Sequence, residues 1–314
     1  LNLRNGVGVN AADQVTSNDF SVDLNDDTRV DLDVYSIYLQ DEIALTDKFD
    51  LILGARYDSI DIEVDNVPEN DVRSASDDEV SPRGGLVYKP LDNLSLYAAY
   101  SETFLPRSGE QYANINGDND NLDPDEFESK EVGVKWDFAD GLSLTVAYFE
   151  NEQTVSGRDN DTGESFEVRG LEVDGFEAQL EGRVTDNLFI RGSYSYFDGE
   201  TGDGEQPREL PENMASLWGN YYISSKWAVG LGATYQDESL ITDGGSATLP
   251  DYTRVDAAVY YQFSDNLRVQ LNVENLLDEE YAENPSGLAA DELGAYHTNI
   301  DNTLTWGVDL RYSF

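Results

Sequence analysis

Few of the side chains that usually do chemistry occur in this chain of 314 residues, which holds no Cys, a single Met and a single His, His297. No thiolate nucleophile, disulfide framework, iron–sulfur cluster or Cys/His zinc site can be built from these residues alone. The chain contains no nucleophile–base pair, no phosphate-cradling Gly loop and no strand–Gly-x-Ser-x-Gly–helix context, so it does not read as an enzyme. What it has in excess is carboxylate: 64 Asp+Glu against 19 Lys+Arg, a formal net charge of −45. Nucleic-acid phosphates would be repelled almost everywhere, which excludes an ordinary DNA or RNA partner. Cation binding is the remaining carboxylate chemistry. The run Asp118, Asp120, Asp123, Asp125, Glu126 and Glu128 is dense enough to hold Ca²⁺, yet it breaks the helix–loop–helix calcium pattern, with Leu122 at the fifth ligand position and Asp123 where Gly is required. Asp159–Asn160–Asp161 ahead of Gly163 fits no better. These runs read as solvated surface, with loosely bound Ca²⁺ bridging to lipid phosphates, or a high-salt habitat, as the further explanations an acidic composition allows.

The elements that position these residues are strands. No apolar run approaches the roughly 18 residues that cross a bilayer as a helix. The opening, Leu1–Asn10, has neither an initiator Met nor an apolar h-region and reads as the start of a mature or truncated product. With 19 Tyr, 12 Phe, 4 Trp and 26 Gly, the chain is too aromatic for a disordered acidic tail. From Tyr35 to the last residue the dominant period is two. Leu304, Trp306, Val308, Leu310, Tyr312 and Phe314 make one face wholly apolar, while Thr305, Gly307, Asp309, Arg311 and Ser313 make the other small or polar. Leu267–Val273, Val255–Phe263, Trp227–Tyr235, Ala215–Ile223, Leu188–Tyr196, Leu142–Tyr148, Val132–Phe138, Leu94–Tyr100, Leu51–Tyr57 and Tyr35–Ile43 repeat the pattern, and weaker segments around Leu86–Tyr88 and Phe166–Val184 bring the set to about thirteen strands.

The connections carry a second, independent signal. Tight ones (Thr46–Lys48, Pro90–Asn93, Ala139–Gly141, Thr185–Asn187, Ser224–Ser225, Ser264–Asn266) alternate with long, mostly acidic ones (Asp65–Asp78, Arg107–Glu126, Glu152–Glu164, Asp198–Arg208, Gln236–Pro250, Asp278–Asn302). An antiparallel up-and-down meander with all its turns at one end predicts this, and a Greek-key sandwich does not. Tyr57, Tyr100, Tyr148, Tyr196 and Tyr235 close the apolar face before long loops, while Phe49, Phe138, Trp227, Phe263 and Phe314 lie beside short turns or the terminus. Two aromatic girdles bounding four or five outward residues per strand give an apolar band on the order of 25 Å, the height a transmembrane β-barrel must cover. A soluble sandwich would explain the alternation but not the girdles or the loop pattern.

In this order, over residues 35–314, the chain resembles the C-terminal part of the barrel of TonB-dependent outer-membrane receptors, in their siderophore-receptor branch. The resemblance is carried by Tyr38–Leu39–Gln40–Asp41, Gly54–Ala55–Arg56–Tyr57–Asp58, Ser81–Pro82–Arg83–Gly84–Gly85–Leu86–Val87–Tyr88 and Leu94–Ser95–Leu96–Tyr97 running to Ser101–Glu102–Thr103–Phe104–Leu105–Pro106. It continues through Leu122–Asp123–Pro124, Glu131–Val132–Gly133–Val134–Lys135, Arg169–Gly170–Leu171–Glu172, Leu249–Pro250–Asp251–Tyr252–Thr253–Arg254–Val255–Asp256, Asn272–Val273–Glu274–Asn275–Leu276–Leu277–Asp278 with Tyr281, and Arg311–Tyr312–Ser313–Phe314. It implies about 13–14 strands of an expected 22, with residues 1–29 an extracellular loop or partial strand, residues 30–314 the C-terminal portion of the barrel, and the plug domain absent. One departure stands out: the approach to the final strand reads Tyr296–His297–Thr298–Asn299–Ile300–Asp301–Asn302 where the family usually has Gly-Ala-Pro-Arg. The alternative is a 14-stranded porin-like or hydrophobic-solute channel that uses residues 1–29 as a strand.

The resemblance also orients the chain, placing the long loops outside the cell in the bacterial outer membrane. The implied function is capture of a ferric siderophore, whose iron arrives fully chelated and needs no protein ligands, with outer-membrane lipid and lipopolysaccharide around the wall and TonB acting through the missing plug. Stacking and hydrogen bonding from loop aromatics and Arg would hold such a ligand. On that basis Phe104, Arg107 and Tyr112, entering the second long loop, and Tyr281, Tyr296 and His297 in the last one are the candidate binding residues. The competing reading for Phe104 and Tyr281 is girdle or loop packing, and for His297 ordinary loop hydrogen bonding.

Overall fold

The computed structural model describes residues 28–67, 70–105, 124–158, 165–282, 285–286, 297–298 and 303–313, and every regular element among them is a strand. In chain order these are β1 (Thr28–Thr46), β2 (Phe49–Asn66), β3 (Asp71–Leu91), β4 (Leu94–Leu105), β5 (Asp125–Ala139), β6 (Leu142–Arg158), β7 (Ser165–Thr185), β8 (Leu188–Thr201), β9 (Asn213–Tyr222), β10 (Trp227–Gln236), β11 (Ser239–Leu240), β12 (Thr248–Leu249), β13 (Tyr252–Ser264), β14 (Leu267–Glu274), β15 (Pro285–Ser286), β16 (His297–Thr298) and β17 (Thr305–Tyr312). Thirteen form one antiparallel sheet, β1 to β10 followed by β13, β14 and β17, each paired with the next; β11 with β12 and β15 with β16 make two-residue ladders inside long connections. The sheet is the meander that the spacing of the connections predicts. The segments around Leu86–Tyr88 and Phe166–Val184, weak in sequence, are parts of β3 and β7, the longest strands at 21 residues each. The expected boundary at residue 29 falls within β1, and residues 1–27 lie outside the described residues.

Residues directly opposite each other in an antiparallel ladder share a face. Leu231, Ala257, Val273 and Trp306 therefore form one apolar row across β10, β13, β14 and β17, and Gly230, Ala258, Asn272 and Gly307 form a small or polar row on the other face. The apolar face has no protein against it: Leu271 is 38% exposed, Trp306 68% and Leu310 71%. A sandwich would bury these side chains; a barrel wall offers them to lipid. Near the short turns this face ends in stacked or tilted aromatic pairs, Phe49 with Tyr88 at 4.5 Å and Trp227 with Tyr261 at 4.4 Å between centroids. At the loop side the girdle tyrosines donate their hydroxyls to carboxylates that stand just beyond them: Tyr57 to Asp78 at 2.8 Å, Tyr100 to Glu128 at 2.8 Å, Tyr148 to Asp174 at 3.1 Å and Tyr235 to Asp237 at 2.9 Å. A ring in lipid with its hydroxyl on a wetted acceptor is how tyrosine resolves an interface.

Two of the expected long loops are largely strand. β2 runs to Asn66 and β3 starts at Asp71; β6 runs to Arg158 and β7 starts at Ser165. A bilayer needs only about 9–11 residues per tilted strand, so these hairpins rise well beyond the girdle. In β2 the polarity changes phase there. Below the girdle Leu51, Leu53 and Tyr57 face lipid; above it Asp61, Glu63 and Asp65 take that face, while Ile60, Ile62 and Val64, on the opposite face, are buried. Outside the bilayer water lies on the outer face, and the apolar set turns inward. Acidic composition at alternate positions thus marks strand as well as loop. Further acids line up across neighbouring strands: Glu102, Glu128, Glu152, Glu172 and Glu200 are consecutive cross-strand partners over β4 to β8, on the outer face beyond the girdle tyrosines.

Candidate functional site

The inner wall opens where two hairpins part. β3 pairs with β4 only as far as Arg83 opposite Ser101, whereas β3 stays paired with β2 up to Asp71 opposite Asn66 and β4 stays paired with β5 up to Leu105 opposite Asp125. The residue after the last β3–β4 pair is Pro82, which has no N–H to extend a ladder. The resulting cleft encloses about 660 Å³ and is lined by Tyr38, Arg56, Asp58, Arg83, Thr103 and Phe104, among others. It sits at the loop side of the wall, level with the Tyr57 girdle.

Charge in the cleft is arranged around Asp58, which is 5% exposed. Arg56 donates to it from Nε at 2.7 and 2.9 Å and from Nη2 at 2.7 Å, and Ser36 donates at 2.5 Å. Arg83 lies across the backbone of Gly54, its cross-strand partner; a Cβ at Gly54 would come within 2.9 Å of Arg83 Nε. Two guanidinium groups and a phenol on the inner face of one opening can stack on a flat ligand and hydrogen-bond its oxygens, while Phe104 stands at the rim on the outer face.

A second cluster lies at the root of the last long connection. Tyr281 stacks on Tyr252 with centroids 4.4 Å apart and planes 21° from parallel, and its hydroxyl accepts a hydrogen bond from Arg254 Nη1 at 3.2 Å. Arg254 in turn pairs with Asp256 at 3.1 Å, and Asp256 accepts the backbone N–H of Asn275 at 2.8 Å. Asn275 and Asp278 both take positive φ, 53° and 55°, which Asn and Asp tolerate best among residues with a Cβ. The Asn275 side chain closes on the backbone of Glu279 in both directions, at 2.8 and 2.9 Å, and Asp278 accepts the N–H of Leu304, where the chain returns toward β17, at 2.9 Å. Asn275–Tyr281 is therefore folded against the wall and tied to both stems of the connection.

Of the six candidates, Phe104 is on β4 and lines the cleft. Tyr281 is buried in the packed cluster just described. His297 is in β16, its backbone opposite Ser286. Arg107, Tyr112 and Tyr296 lie outside the described residues, as do Asp118, Asp120, Asp123 and Asp159–Asp161. Among the described residues no group of three or more His, Asp or Glu is placed to hold a metal ion. Tyr38, Arg56 and Arg83 in the cleft escaped the loop-centred reading because they are strand residues. Their signal was available: cations are scarce in this chain, and these two arginines interrupt otherwise small or apolar strand segments.

An open antiparallel meander with a lipid-facing band, two girdles and a polar inner wall defines a transmembrane β-barrel wall. The chain belongs to the family described as TonB dependent receptor-like, beta-barrel, which it matches over residues 2–276, and it is a protein of the bacterial outer membrane. It is 32% identical over 273 residues to the probable TonB-dependent siderophore receptor PiuA of Acinetobacter baumannii, covering 78% of this chain and 37% of that protein. It is 31% identical over 301 residues to the ferrichrome outer membrane transporter/phage receptor of Escherichia coli, covering 90% of this chain and 39% of that one. The crystal structure of the siderophore receptor PiuA superposes with a TM-score of 0.79 at 27% identity, over 91% of this chain and 44% of that one. The chain thus spans less than half the length of the relatives it matches.

Proposed function

We propose that this chain forms the C-terminal wall of an outer-membrane receptor that takes up ferric siderophores, with TonB supplying energy through the plug region of the whole receptor. The observation that carries the reading is the cleft between β3 and β4 at the loop side of a lipid-facing wall, where Tyr38, Arg56 and Arg83 line the inner face and Phe104 stands at the rim on the outer one. Arg107 and Tyr112 follow Phe104 closely in sequence, and Tyr296 and His297 lie in the last connection, so the external loops contribute to the same mouth. Tyr281 holds the root of that connection. The acidic outer face meets outer-membrane lipid and lipopolysaccharide, with divalent cations loosely held between carboxylate and phosphate. Relatives named as a siderophore receptor and a ferrioxamine B receptor support the ligand class.

Growth of an iron-starved strain lacking the gene, supplied with defined siderophores one at a time, tests this directly. Loss of growth on at least one siderophore, restored by the full-length gene, is the expected result. Unchanged growth on all of them would overturn the reading.

A further inference from the structure

Beyond the girdle the inner wall turns apolar in two places, and they differ in one respect. On β2 the inward-facing Ile60, Ile62 and Val64 are buried. On β5 and β7 the inward-facing Phe127, Leu171 and Val173 are only half-buried, and they line an open recess of about 190 Å³. Register sets their direction: Phe127 stands opposite Thr103 and Gln153, Leu171 opposite Gln153, and Val173 opposite Asn151, all on the face away from the glutamate ladder. Further toward the short turns the same face is polar, with Ser129, Glu131 and Lys135 on β5 and Glu177, Gln179 and Glu181 on β7, as a wetted lumen requires. The recess adjoins the cleft, because Ser101 and Thr103 of β4 line both. A ligand seated in the cleft has only to cross β4, about 4.8 Å of sheet, to enter it. Half-buried apolar side chains in water gain free energy when an apolar group covers them. At about 30 Å³ for a water-sized group, the recess has room for a chain of about six methylenes.

We propose that this recess holds an aliphatic arm of the ligand, so that the receptor takes acylated iron chelates: the polar head sits in the cleft and the arm crosses β4 onto Phe127 and Val173. The inference rests on the receptor reading above and adds the substrate class. Continuity with the cleft is what assigns the recess to the ligand, since the two hollows share a wall and differ in polarity as the two ends of an amphiphile do.

The test uses the full-length receptor in detergent and four ferric chelates, a linear trihydroxamate and a tris(catecholate), each acylated at one amine with an acetyl or an octanoyl group. Binding is read by tryptophan fluorescence, with uptake of the arm by empty micelles subtracted. For a head that wild type binds, the octanoyl form is expected to be held at least about tenfold tighter than the acetyl form, since each buried methylene contributes roughly fourfold. Phe127→Ser and Val173→Ser should each cut that gain by about threefold or more and bind the acetyl form as before. Should Phe127→Ser fail to fold, Ser129→Phe decides: it fills the recess, so it must abolish the gain and leave the acetyl form unaffected. A gain that survives in these variants, or equal loss for both arms, overturns the inference. Equal affinity for both arms in wild type, the result if another segment of the receptor covers the recess, overturns this inference alone. Binding of none of the four chelates overturns the receptor reading and this inference with it.

Discussion

Tyr281, seven residues beyond the end of β14, stacks on Tyr252, the first residue of β13, and takes a hydrogen bond from Arg254 of the same strand. A loop residue thereby becomes part of the wall. Removing the ring in Tyr281→Ala should destabilise the receptor by about 3–5 kcal/mol, the usual range for a buried aromatic truncated to Ala. Tyr281→Phe keeps the stack and loses the hydroxyl acceptor, for a cost of about 1 kcal/mol. Urea titration of the receptor in micelles ranks the two, and equal stability of Tyr281→Ala and wild type would show that the stack contributes nothing.

The lipid-facing row makes a side-specific prediction. Leu310→Arg places a charge on the outer face near the middle of the wall and should cost about 2–4 kcal/mol of folding free energy in bilayers. Gln270→Arg, one residue along on β14 from Val269, the cross-strand partner of Leu310, but on the inner face, should cost far less. Folding into vesicles, followed by heat-modifiable migration, separates them; similar losses for both would mean that the two faces do not see different solvents.

The glutamate ladder across β4 to β8 places like charges directly opposite one another four times in succession. Such pairs destabilise a sheet by a few tenths of a kcal/mol each. Glu152→Gln, at the centre, should therefore raise thermal stability at low ionic strength. The gain should vanish near 1 M salt, where screening shortens to about 3 Å. A variant less stable than wild type at every salt concentration would show that Glu152 is held by attraction instead.

Acid should loosen the loop-side rim. Asp78 is held low by the hydroxyls of Ser59 and Tyr57, Glu128 by Lys130, and Asp237 chiefly by the Asn213 amide. Each folded-state value lies below the unfolded one, so the stability these carboxylates contribute is present above the unfolded range of about 3.9–4.3 and is lost as pH falls through the folded values. Protease accessibility of the β2–β3 and β9–β10 ends should be flat from neutral pH to about pH 5 and rise below about pH 4. A rise already complete at pH 6 would point to groups other than these.

Much of the wall was legible from residue order because alternation is a direct imprint of two solvents on one strand. Leu267–Val273 and Leu304–Phe314 could face nothing but lipid once no second sheet was implied, and the short turns followed from the spacing. The rise of β2 and β3 beyond the bilayer was not legible, since Asp61, Glu63 and Asp65 look like loop until their partners across the ladder are known. Nor was the cleft. Arg56 and Arg83 sit 27 positions apart in number and come together only because β2 and β3 are neighbours in register.

What this sequence determined unaided is therefore its local character: which side chains alternate, where turns fall, which faces are greasy, and hence the class of architecture. Register, by contrast, is a property of pairs. Only the assembled sheet decided that the β3–β4 ladder stops short of Pro82, that Gly54 lies under Arg83, and that Tyr281 returns to Tyr252, because each depends on the distance between strands rather than on the order of residues within one.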